Sequence, residues 1–412
     1  MPRRHAFSSA FRSQMESIFL LDPIRSVTGL YTDRSVDGPL GHGATFDVQS
    51  KTIEKDGQSR VVAIKRLLSS HRFSNTTASG YTLSRSVLRP MLVDMVVMET
   101  MAKSPFILDL YSAGVWGDSG PYLQPYLLVE LSTNGTLAKF LNIQTIGESE
   151  DLHTYVASRY ADYDYSIRKQ LVIDIARGIL ALHEHGIFHT DLKPDNILIF
   201  GPHDSRYRAK LSDFGSSVVR HRAAPDGAGT FGRDALGTKG YTAPELVGLS
   251  ASKFLELSNS ELRKGDVFSF AIVLLETLGS CRIREYPFDK AITMDTVQKL
   301  SFIQEYTGVM EWDKAIVHIL QRCLQPAPFR CDNFVEILTA LCEGERDPFA
   351  VTEASASPDG GVLYSVYLEF LDCFNKLIRE IDTDCLDDSD SFDKGIAWLM
   401  KVRKRKQDGH CN

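Results

Sequence analysis

The composition of the chain is that of an ordinary globular protein. It has 412 residues, of which 43% are hydrophobic and 24% charged, and this balance excludes a largely disordered chain. Its 53 acidic residues outnumber its 46 basic ones, so the net charge of −7 gives no sign of the basic surface of DNA- and RNA-binding proteins. We therefore expect no nucleic-acid partner. We also expect no membrane partner, because no apolar run reaches the roughly 18 residues that span a bilayer.

The two termini and the cysteines bear on location. Residues 1–24 form a basic, serine-rich arm with no acid before Glu16, a composition shared by transit peptides and by frayed termini. Seven cysteines, an odd number without a CxxC pair, favour reduced thiols in an intracellular protein. The basic run at 401–406 fits either a nuclear signal or a solvated terminus. We predict a cytoplasmic protein, with the nucleus as the alternative.

Strand-like patterns dominate the first third of the chain. Short apolar and β-branched runs broken by glycine fill residues 25–65, and residues 126–131 form another apolar strand. Between them, residues 70–86 are rich in Ser, Thr, Asn and Gly and predict a flexible loop. Residues 91–101 then predict a helix. This β-rich part, residues 25–131, ends at a boundary near Ser132.

Helical patterns dominate the rest of the chain. Helices are predicted at 167–185, 265–278, 312–324 and 334–342. A polar, acidic stretch at about 142–165 is predicted to be an insertion. The sequence therefore predicts an α+β fold, in which the small β-rich part precedes a larger α-rich part, residues 132–347.

Residues 348–412 are predicted to form a C-terminal extension. Ser-Pro-Asp-Gly-Gly at 357–361 marks a break, and apolar residues between 363 and 381 then recur at helical spacing to give one apolar stripe. An acidic run at 382–393 follows. The stripe fits docking onto the protein's own α-rich part or onto a partner helix, and the first is favoured.

The segment His189-Thr-Asp-Leu-Lys-Pro-Asp-Asn196 carries the strongest chemical signal. It follows a helical pattern and precedes an apolar strand. Asp191 could orient an acceptor hydroxyl and take its proton, and the amide oxygen five residues later could bind Mg²⁺, which prefers oxygen ligands. Seventeen residues further on, Asp213-Phe-Gly215 supplies a second carboxylate. Three histidines, 183, 185 and 189, lack the spacing and acid partner of a metal site.

These segments resemble the catalytic loop and the metal-binding motif of eukaryotic-type protein kinases of the serine/threonine kind, with Thr190 in place of the usual arginine. The segment 237–245, ending in Ala-Pro-Glu, is similar to the end of their activation segment. Asp266-Val-Phe-Ser-Phe resembles the start of their central helix, whose aspartate supports the catalytic loop. The resemblance covers residues 25–345 and implies a bilobal kinase fold, a small β-rich N-lobe and a larger α-rich C-lobe with ATP in the cleft between them.

The same resemblance assigns the catalytic and metal-binding roles. Asp191 is the catalytic aspartate, Lys193 neutralises the γ-phosphate, and Lys65 of Val-Ala-Ile-Lys holds the α- and β-phosphates. Asn196 and Asp213 are the expected Mg²⁺ ligands. Because a lysine two residues after the aspartate is typical of serine/threonine kinases, the expected substrates are protein serine and threonine hydroxyls.

The resemblance also implies the contacts of ATP. The glycine-rich loop matches at two glycines, but Phe46 occupies the position of the third, which puts close approach to the phosphates in doubt. Val48 and Ala63 are expected above the adenine and Leu198 below it. The other predicted nucleotide-binding positions are the loop glycines and the backbone groups of the hinge: Gly41, Gly43, Glu130 and Ser132.

Three further pairings follow from the resemblance. The acid that pairs with Lys65 is either Asp94 or Glu99, and the sequence leaves this open. Arg330 is expected to pair with Glu245. Thr238 is expected to be a structural partner of Asp191 and Lys193 rather than a switch.

We therefore interpret the chain as an ATP-dependent serine/threonine protein kinase. A pseudokinase that binds nucleotide and acts as a scaffold is the alternative, and Phe46, Thr190 and the open choice of acid favour it. Against it, the chain retains Lys65, Asp191 and the two metal-binding positions. A small-molecule phosphotransferase fits less well, because it would lack the peptide-positioning segment ending in Ala-Pro-Glu.

Overall fold

Thirteen stretches of the chain are described by the computed structural model. They are residues 38–42, 46–55, 58–67, 76–77, 80–81, 85–102, 104–117, 123–145, 165–203, 206–220, 237–279, 281–282 and 314–342. The predicted N-terminal arm, Gly43, most of the predicted insertion and the C-terminal extension with its apolar stripe lie outside these residues.

The described strands and helices follow the order of the sequence patterns. The strands are β1 (Gly38–His42), β2 (Phe46–Lys55), β3 (Gln58–Leu67), β4 (Thr76–Thr77), β5 (Gly80–Tyr81), β6 (Leu110–Gly117), β7 (Leu123–Val129), β8 (Gln144–Thr145), β9 (Ile187–Phe188), β10 (Ile197–His203), β11 (Arg206–Leu211), β12 (Val218–Val219) and β13 (Cys281–Arg282). The helices are α1 (Arg85–Thr100), α2 (Leu137–Phe140), α3 (Tyr165–Glu184), α4 (Ala251–Glu256), α5 (Asn259–Gly279), α6 (Lys314–Cys323) and α7 (Phe334–Cys342).

The chain divides into two compact units. The sheet unit contains the described residues within Met1–Ala102 and Asp109–Leu131, and the helical unit contains those within Lys103–Leu108 and Ser132–Ala354. The chain thus passes from one unit to the other at Ser132, the position at which the sequence pattern changes from strand-like to helical. A β-rich unit and an α-rich unit give the α+β class.

The sheet unit is built on a five-stranded antiparallel sheet in the order β1-β2-β3-β7-β6. Strands β2 and β3 pair over their whole lengths, from Phe46 opposite Leu67 to Lys55 opposite Gln58. Successive side chains of a strand point to opposite faces. One face carries an apolar cluster formed by Ile53, Val62, Ile64, Tyr126 and Leu128. The opposite face of β2 and β3 therefore carries Val48, Ala63 and Lys65.

Helix α1 begins earlier than the sequence pattern indicated. The run of methionines and valines predicted a start at Met91, but the helix starts at Arg85, inside the predicted loop. Val87 and Leu88 lie four and three residues before Met91, so they continue its apolar spacing by one further turn. Within the same predicted loop, the short strands β4 and β5 pair as a small hairpin.

The helical unit is organised around α5, which is buried along nearly its whole length from Gly265 to Gly279. Helix α3 runs against β11, and Gly178 allows their close approach. A Cβ atom at this glycine would lie 2.9 Å from Leu211 Cδ1 and 3.2 Å from the Phe106 carbonyl oxygen. Only glycine fits that contact without a shift of its neighbours.

One buried carboxylate lies on α3 away from the predicted site. Asp174 accepts hydrogen bonds from Gln170 Nε2 at 2.8 Å and from the Ala209 N–H at 3.3 Å. The guanidinium groups of Arg177 and Arg208 each lie 3.8 Å from its Oδ1. Burial nevertheless dominates and raises the pKa of the Asp174 carboxyl to about 6, although Arg208 and the Ala209 amide act against the shift.

In the described part of the chain, no helix combines the length and the apolar character that crossing a membrane requires. The described cysteines Cys323, Cys331 and Cys342 carry thiols that form no disulfide. Burial raises the pKa of the Cys323 thiol, so this side chain stays protonated and packs as a small apolar group.

Candidate functional site

In the sheet unit, Lys65 forms an ion pair with Asp94. The Nζ atom of Lys65 on β3 lies 2.5 Å from Oδ2 of Asp94 on α1, and the two side chains are 12% and 2% exposed. The structure thus decides between the two acids that the sequence left open. Glu99 lies five residues further along α1, about 140° around the helix axis, and is half-buried on a different side.

The glycine-rich segment contributes described residues at both of its ends. Gly41 lies in β1 and pairs with Val48 of β2. Phe46 begins β2, and its ring centroid is 4.7 Å from the Lys65 ammonium nitrogen. Val48 is opposite Lys65 in the register of β2 and β3. Both Phe46 and Val48 therefore share a face of the sheet with the lysine.

The predicted adenine contacts are found in the strands where they were expected. Ala63 on β3 is buried and pairs with Val129 of β7. Glu130 follows β7, and its N–H donates to the Asp109 carbonyl at 3.0 Å, which fixes the backbone at the start of the hinge. In the helical unit, Leu198 is half-buried on β10 and bridges Thr136.

Ser132, the other hinge residue, lies in the helical unit. Its hydroxyl is 2.7 Å from the Ile199 carbonyl and 2.9 Å from the Gly135 carbonyl. The side chain thereby attaches the segment after the hinge to strand β10. Its predicted contact with the nucleotide uses backbone groups, which these side-chain bonds do not occupy.

The carboxylate of Asp191 is held by three side chains of the helical unit. Its Oδ1 accepts a hydrogen bond from Thr238 Oγ1 at 2.7 Å. Its Oδ2 accepts from Lys193 Nζ at 2.9 Å and from Asn196 Nδ2 at 3.2 Å. Lys193 also donates to Thr238 Oγ1 at 2.7 Å. The expected partnership of Thr238 with Asp191 and Lys193 is therefore formed.

Asp266 of helix α5 fixes the backbone that leads into Asp191. Its carboxylate accepts from the N–H groups of His189 and Thr190 at 2.9 and 2.8 Å, and its Oδ2 lies 2.8 Å from His183 Nε2. His183 packs between the rings of Phe188 and Phe334. One buried carboxylate thus connects α3, the catalytic loop and α5.

Thr190 takes the place of an arginine with a hydrogen bond of a different kind. Its backbone has a φ of 62°, in the left-handed region, and its Oγ1 donates to the Ser216 carbonyl at 2.7 Å. This bond joins the catalytic loop directly to the segment after Asp213. A neutral hydroxyl does so without a charge that could attract a phosphate.

The two predicted metal ligands lie at the ends of neighbouring elements. Asn196 Nδ2 donates to the Asp191 carbonyl at 2.8 Å, which orients the amide and leaves Oδ1 as its acceptor atom. The backbone carbonyl of Asn196 accepts from Ser212 N at 2.9 Å, so the residue before Asp213 is tied to the loop. The Asp213 side chain is exposed.

These donors suit Mg²⁺, although they are few. Among the described residues, no group of three or more His, Cys, Asp or Glu side chains could hold a metal ion. Mg²⁺ commonly uses one or two protein carboxylates, with water and substrate phosphate oxygens completing its octahedral shell. The amide oxygen of Asn196 and the exposed carboxylate of Asp213 therefore fit a Mg²⁺ ion carried with a nucleotide.

The segment after the activation loop is anchored to the core of the helical unit. Arg330 forms a bidentate ion pair with Glu245, in which the Nη2–Oε2 distance is 3.2 Å, and Arg330 Nη1 also donates to the Lys264 carbonyl. The Tyr241 hydroxyl donates to the buried Glu276 at 2.6 Å. The predicted pairing of Arg330 with Glu245 is present in the structure.

Gly237 permits the close packing of this segment against the catalytic loop. Its φ is +53°, and a Cβ atom there would clash with Thr242 Oγ1 and lie 3.1 Å from the Thr190 carbonyl oxygen. A residue with a side chain would thus push Thr238 away from Asp191.

A comparison with protein families agrees with this geometry. The family model described as protein kinase domain matches residues 35–339, which is more than half of the chain. The chain belongs to the protein kinase family. The predicted bilobal kinase fold, with a β-rich N-lobe and an α-rich C-lobe, is thereby confirmed.

The kinase is also similar to curated serine/threonine kinases. It is 29% identical to Probable serine/threonine-protein kinase drkD of Dictyostelium discoideum, over 53% of this chain and 14% of drkD. It is 30% identical to L-type lectin-domain containing receptor kinase S.1 of Arabidopsis thaliana, over 47% of this chain and 29% of the relative. It is 27% identical to Probable LRR receptor-like serine/threonine-protein kinase RKF3 of the same plant, over 67% of this chain and 38% of the relative. The kinase thus spans between 14% and 38% of the length of these relatives.

Sequence reasoning missed two contacts of the kinase site. The hydrogen bond between His183 and Asp266 joins residues 83 positions apart, and the histidine was considered only as a metal ligand. The bond from Thr190 to Ser216 was also unforeseen, although a hydroxyl beside a conformationally fixed loop is a signal that could have suggested it. The side chain of Arg220, considered as a phosphate ligand, instead donates to the Leu257 carbonyl and to Asn259.

Proposed function

We propose that this kinase transfers the γ-phosphoryl group of ATP to serine and threonine hydroxyls of protein substrates. The observation that carries the proposal is the Asp191 carboxylate, which is held by Thr238, Lys193 and Asn196 in a fixed orientation. Phosphoryl transfer requires positioned charge more than covalent chemistry from the protein. A preorganised carboxylate beside a lysine ammonium meets that requirement.

Asp191 acts on the substrate hydroxyl. A carboxylate has about four acceptor positions, and the three side-chain bonds to Asp191 place two on Oδ2 and one on Oδ1. Oδ1 therefore keeps an acceptor position for the hydroxyl of the substrate. As the hydroxyl oxygen bonds to the γ-phosphorus and the bond to the ADP oxygen breaks, the hydroxyl proton passes to this carboxylate.

Lysine side chains supply the positive charge. Lys193 donates to Asp191 and Thr238, and since an ammonium has three N–H donors, one remains for an oxygen of the γ-phosphate. In the sheet unit, the bond to Asp94 holds the Lys65 ammonium for the α- and β-phosphates. The adenine contacts of Val48, Ala63 and Leu198 stay predictions of the sequence.

Asn196 and Asp213 are proposed to hold Mg²⁺ through their oxygen atoms. The ion would neutralise charge on the phosphate oxygens. The residues of the chain prepare its position: Asn196 is oriented by its bond to the Asp191 carbonyl, and Ser212 links the backbone before Asp213 to Asn196.

Three observations support serine and threonine as the acceptors. Lys193 occupies the position typical of serine/threonine kinases and bonds to the catalytic aspartate. Thr238 and Glu245 anchor the segment expected to position a peptide. The relatives drkD and RKF3 are both named as serine/threonine kinases.

A pseudokinase is the second candidate, and Phe46 favours it because its ring lies against the phosphate-binding lysine. The complete set of charged residues argues for an active enzyme. Further proposals rest on the sequence alone: a cytoplasmic or nuclear location, no nucleic-acid partner, and docking of the stripe within 363–381 on the helical unit or on a partner helix.

The proposal is tested by incubating the full chain with labelled ATP, Mg²⁺ and a generic basic protein, and identifying the phosphorylated amino acids. Asp191→Asn is the matched control, because it keeps the shape of the side chain and removes its charge. Transfer to serine or threonine that the variant lacks supports the proposal. ATP binding without transfer, measured as a thermal shift, would identify the pseudokinase instead.

A further inference from the structure

Phe46 occupies a position where the kinase pattern has a glycine, and the structure gives its side chain a definite place. The residue begins β2 and is only 8% exposed. It lies opposite Leu67, and Val48 lies opposite Lys65, so Phe46, Val48 and Lys65 project from the same face of the sheet. The ring therefore covers the part of this face that is next to the lysine.

The Lys65 ammonium lies between an acid and an aromatic ring. Its nitrogen is 2.5 Å from Asp94 Oδ2 and 4.7 Å from the centroid of the Phe46 ring. A cation within about 6 Å of a ring centroid is attracted by the negative face of the ring, and this attraction is stronger where water is excluded. With Lys65 only 12% exposed, the contact is largely shielded from water.

A glycine at this position would leave the lysine open on that side. Glycine has no side chain, so backbone and phosphate can approach closely. The Phe46 ring instead occupies space beside the ammonium and satisfies part of its charge. A phosphate oxygen that binds Lys65 from this side must displace the ring.

We propose that Phe46 sets the affinity of this kinase for its nucleotide by competing, through its ring face, with the phosphates for Lys65. This inference rests on the proposed function, because it takes Lys65 as the phosphate-binding lysine. Its consequence is a weakened hold on ATP that depends on the aromatic character of residue 46 and not only on its size.

The test uses two variants of similar volume in the full chain. Phe46→Leu keeps an apolar side chain and removes the ring face, whereas Phe46→Tyr keeps the ring. The dissociation constant of N-methylanthraniloyl-ATP with Mg²⁺ is measured for each by fluorescence. We expect Phe46→Leu to bind about tenfold more tightly than the natural chain, a difference of about 1.4 kcal/mol, and Phe46→Tyr to bind like it.

A second measurement reports the contact without nucleotide. The natural chain and both variants are treated briefly with an amine-acetylating reagent, and the rate of Lys65 modification is followed by peptide mass spectrometry. We expect faster modification in Phe46→Leu and an unchanged rate in Phe46→Tyr. Peptides with other lysines of β2 and β3, such as Lys51, provide the internal reference.

The two measurements separate the ways in which the reasoning could fail. Equal dissociation constants in the natural chain and Phe46→Leu, or equal Lys65 modification rates, would overturn the competition by Phe46. Tight binding in Phe46→Tyr as well as Phe46→Leu would also overturn it. Absence of nucleotide binding in all three proteins would overturn the proposed function, and the competition with it.

Discussion

Asp174→Asn should remove a pH-dependent destabilisation of the helical unit. The Asp174 side chain has no exposed surface, and burial raises the pKa of its carboxyl from 3.8 to about 6. A carboxyl whose pKa is higher in the folded chain stabilises the fold while it is protonated, below about pH 4. That contribution is lost as the pH rises through about 6, because a buried carboxylate must then carry its charge.

The size of the effect follows from the pKa difference. A shift of one unit corresponds to about 1.36 kcal/mol, so a rise from 3.8 to about 6 corresponds to about 3 kcal/mol. Asparagine does not titrate. The free energy of unfolding of Asp174→Asn, minus that of the natural chain, should therefore increase by about 3 kcal/mol between about pH 4 and about pH 7.5.

The assay is urea unfolding followed by far-ultraviolet circular dichroism at several pH values. Only the change of the difference with pH is used, so a constant cost of the amide does not matter. Glu256→Gln, on the exposed side of α4, controls for the loss of one negative charge. A difference that stays constant within about 1 kcal/mol would refute the reasoning, and would mean that Arg177 and Arg208 keep the carboxylate ionised throughout.

The other predictions concern activity and boundaries. Lys65→Met and Asp213→Asn should each lower phosphoryl transfer by about 100-fold or more, with unchanged thermal unfolding, because each removes preorganised charge; activity within a few-fold of the natural chain would contradict these roles. Phosphatase treatment, confirmed by mass spectrometry, should leave activity within tenfold, because Thr190 offers one neutral hydroxyl that already binds Ser216; a larger fall, restored by autophosphorylation, would show that another basic residue gathers a phosphate. Truncation after about residue 353 should give a soluble, ATP-binding protein, and an insoluble product would place the apolar stripe of 363–381 in the core.

The sequence predicted the catalytic loop well because the loop is short and continuous. Asp191, Lys193 and Asn196 lie within six residues, and their spacing alone brings the lysine and the amide to the carboxylate. The strands and long helices were also predictable, since their apolar periods are strong. Boundaries were less so: helix α1 begins at Arg85 because its first turn carries apolar residues that the loop-like composition concealed.

Contacts between distant segments could not be predicted in the same way. The choice between Asp94 and Glu99 depends on the rotation of α1 about its axis, which packing against the sheet sets. Every described residue from Val93 to Met98 is buried, so no simple apolar stripe revealed which side faces Lys65. The ring of Phe46 is a similar case, since the sequence indicated a missing glycine but not where the side chain would lie.

The conformation of Thr190 has a consequence for how this kinase can evolve. A β-branched residue at a φ of 62° is unfavourable, and such strain costs on the order of 1–3 kcal/mol. Asp266 and Ser216 hold the residue there through its N–H and its hydroxyl. Asparagine or glycine would relieve the strain, yet both would give up the bond from the hydroxyl that links the catalytic loop to the segment after Asp213. Position 190 is thus a point where gains in stability and the upkeep of the active conformation oppose each other, and stabilising substitutions found there by selection for folding alone should reduce activity.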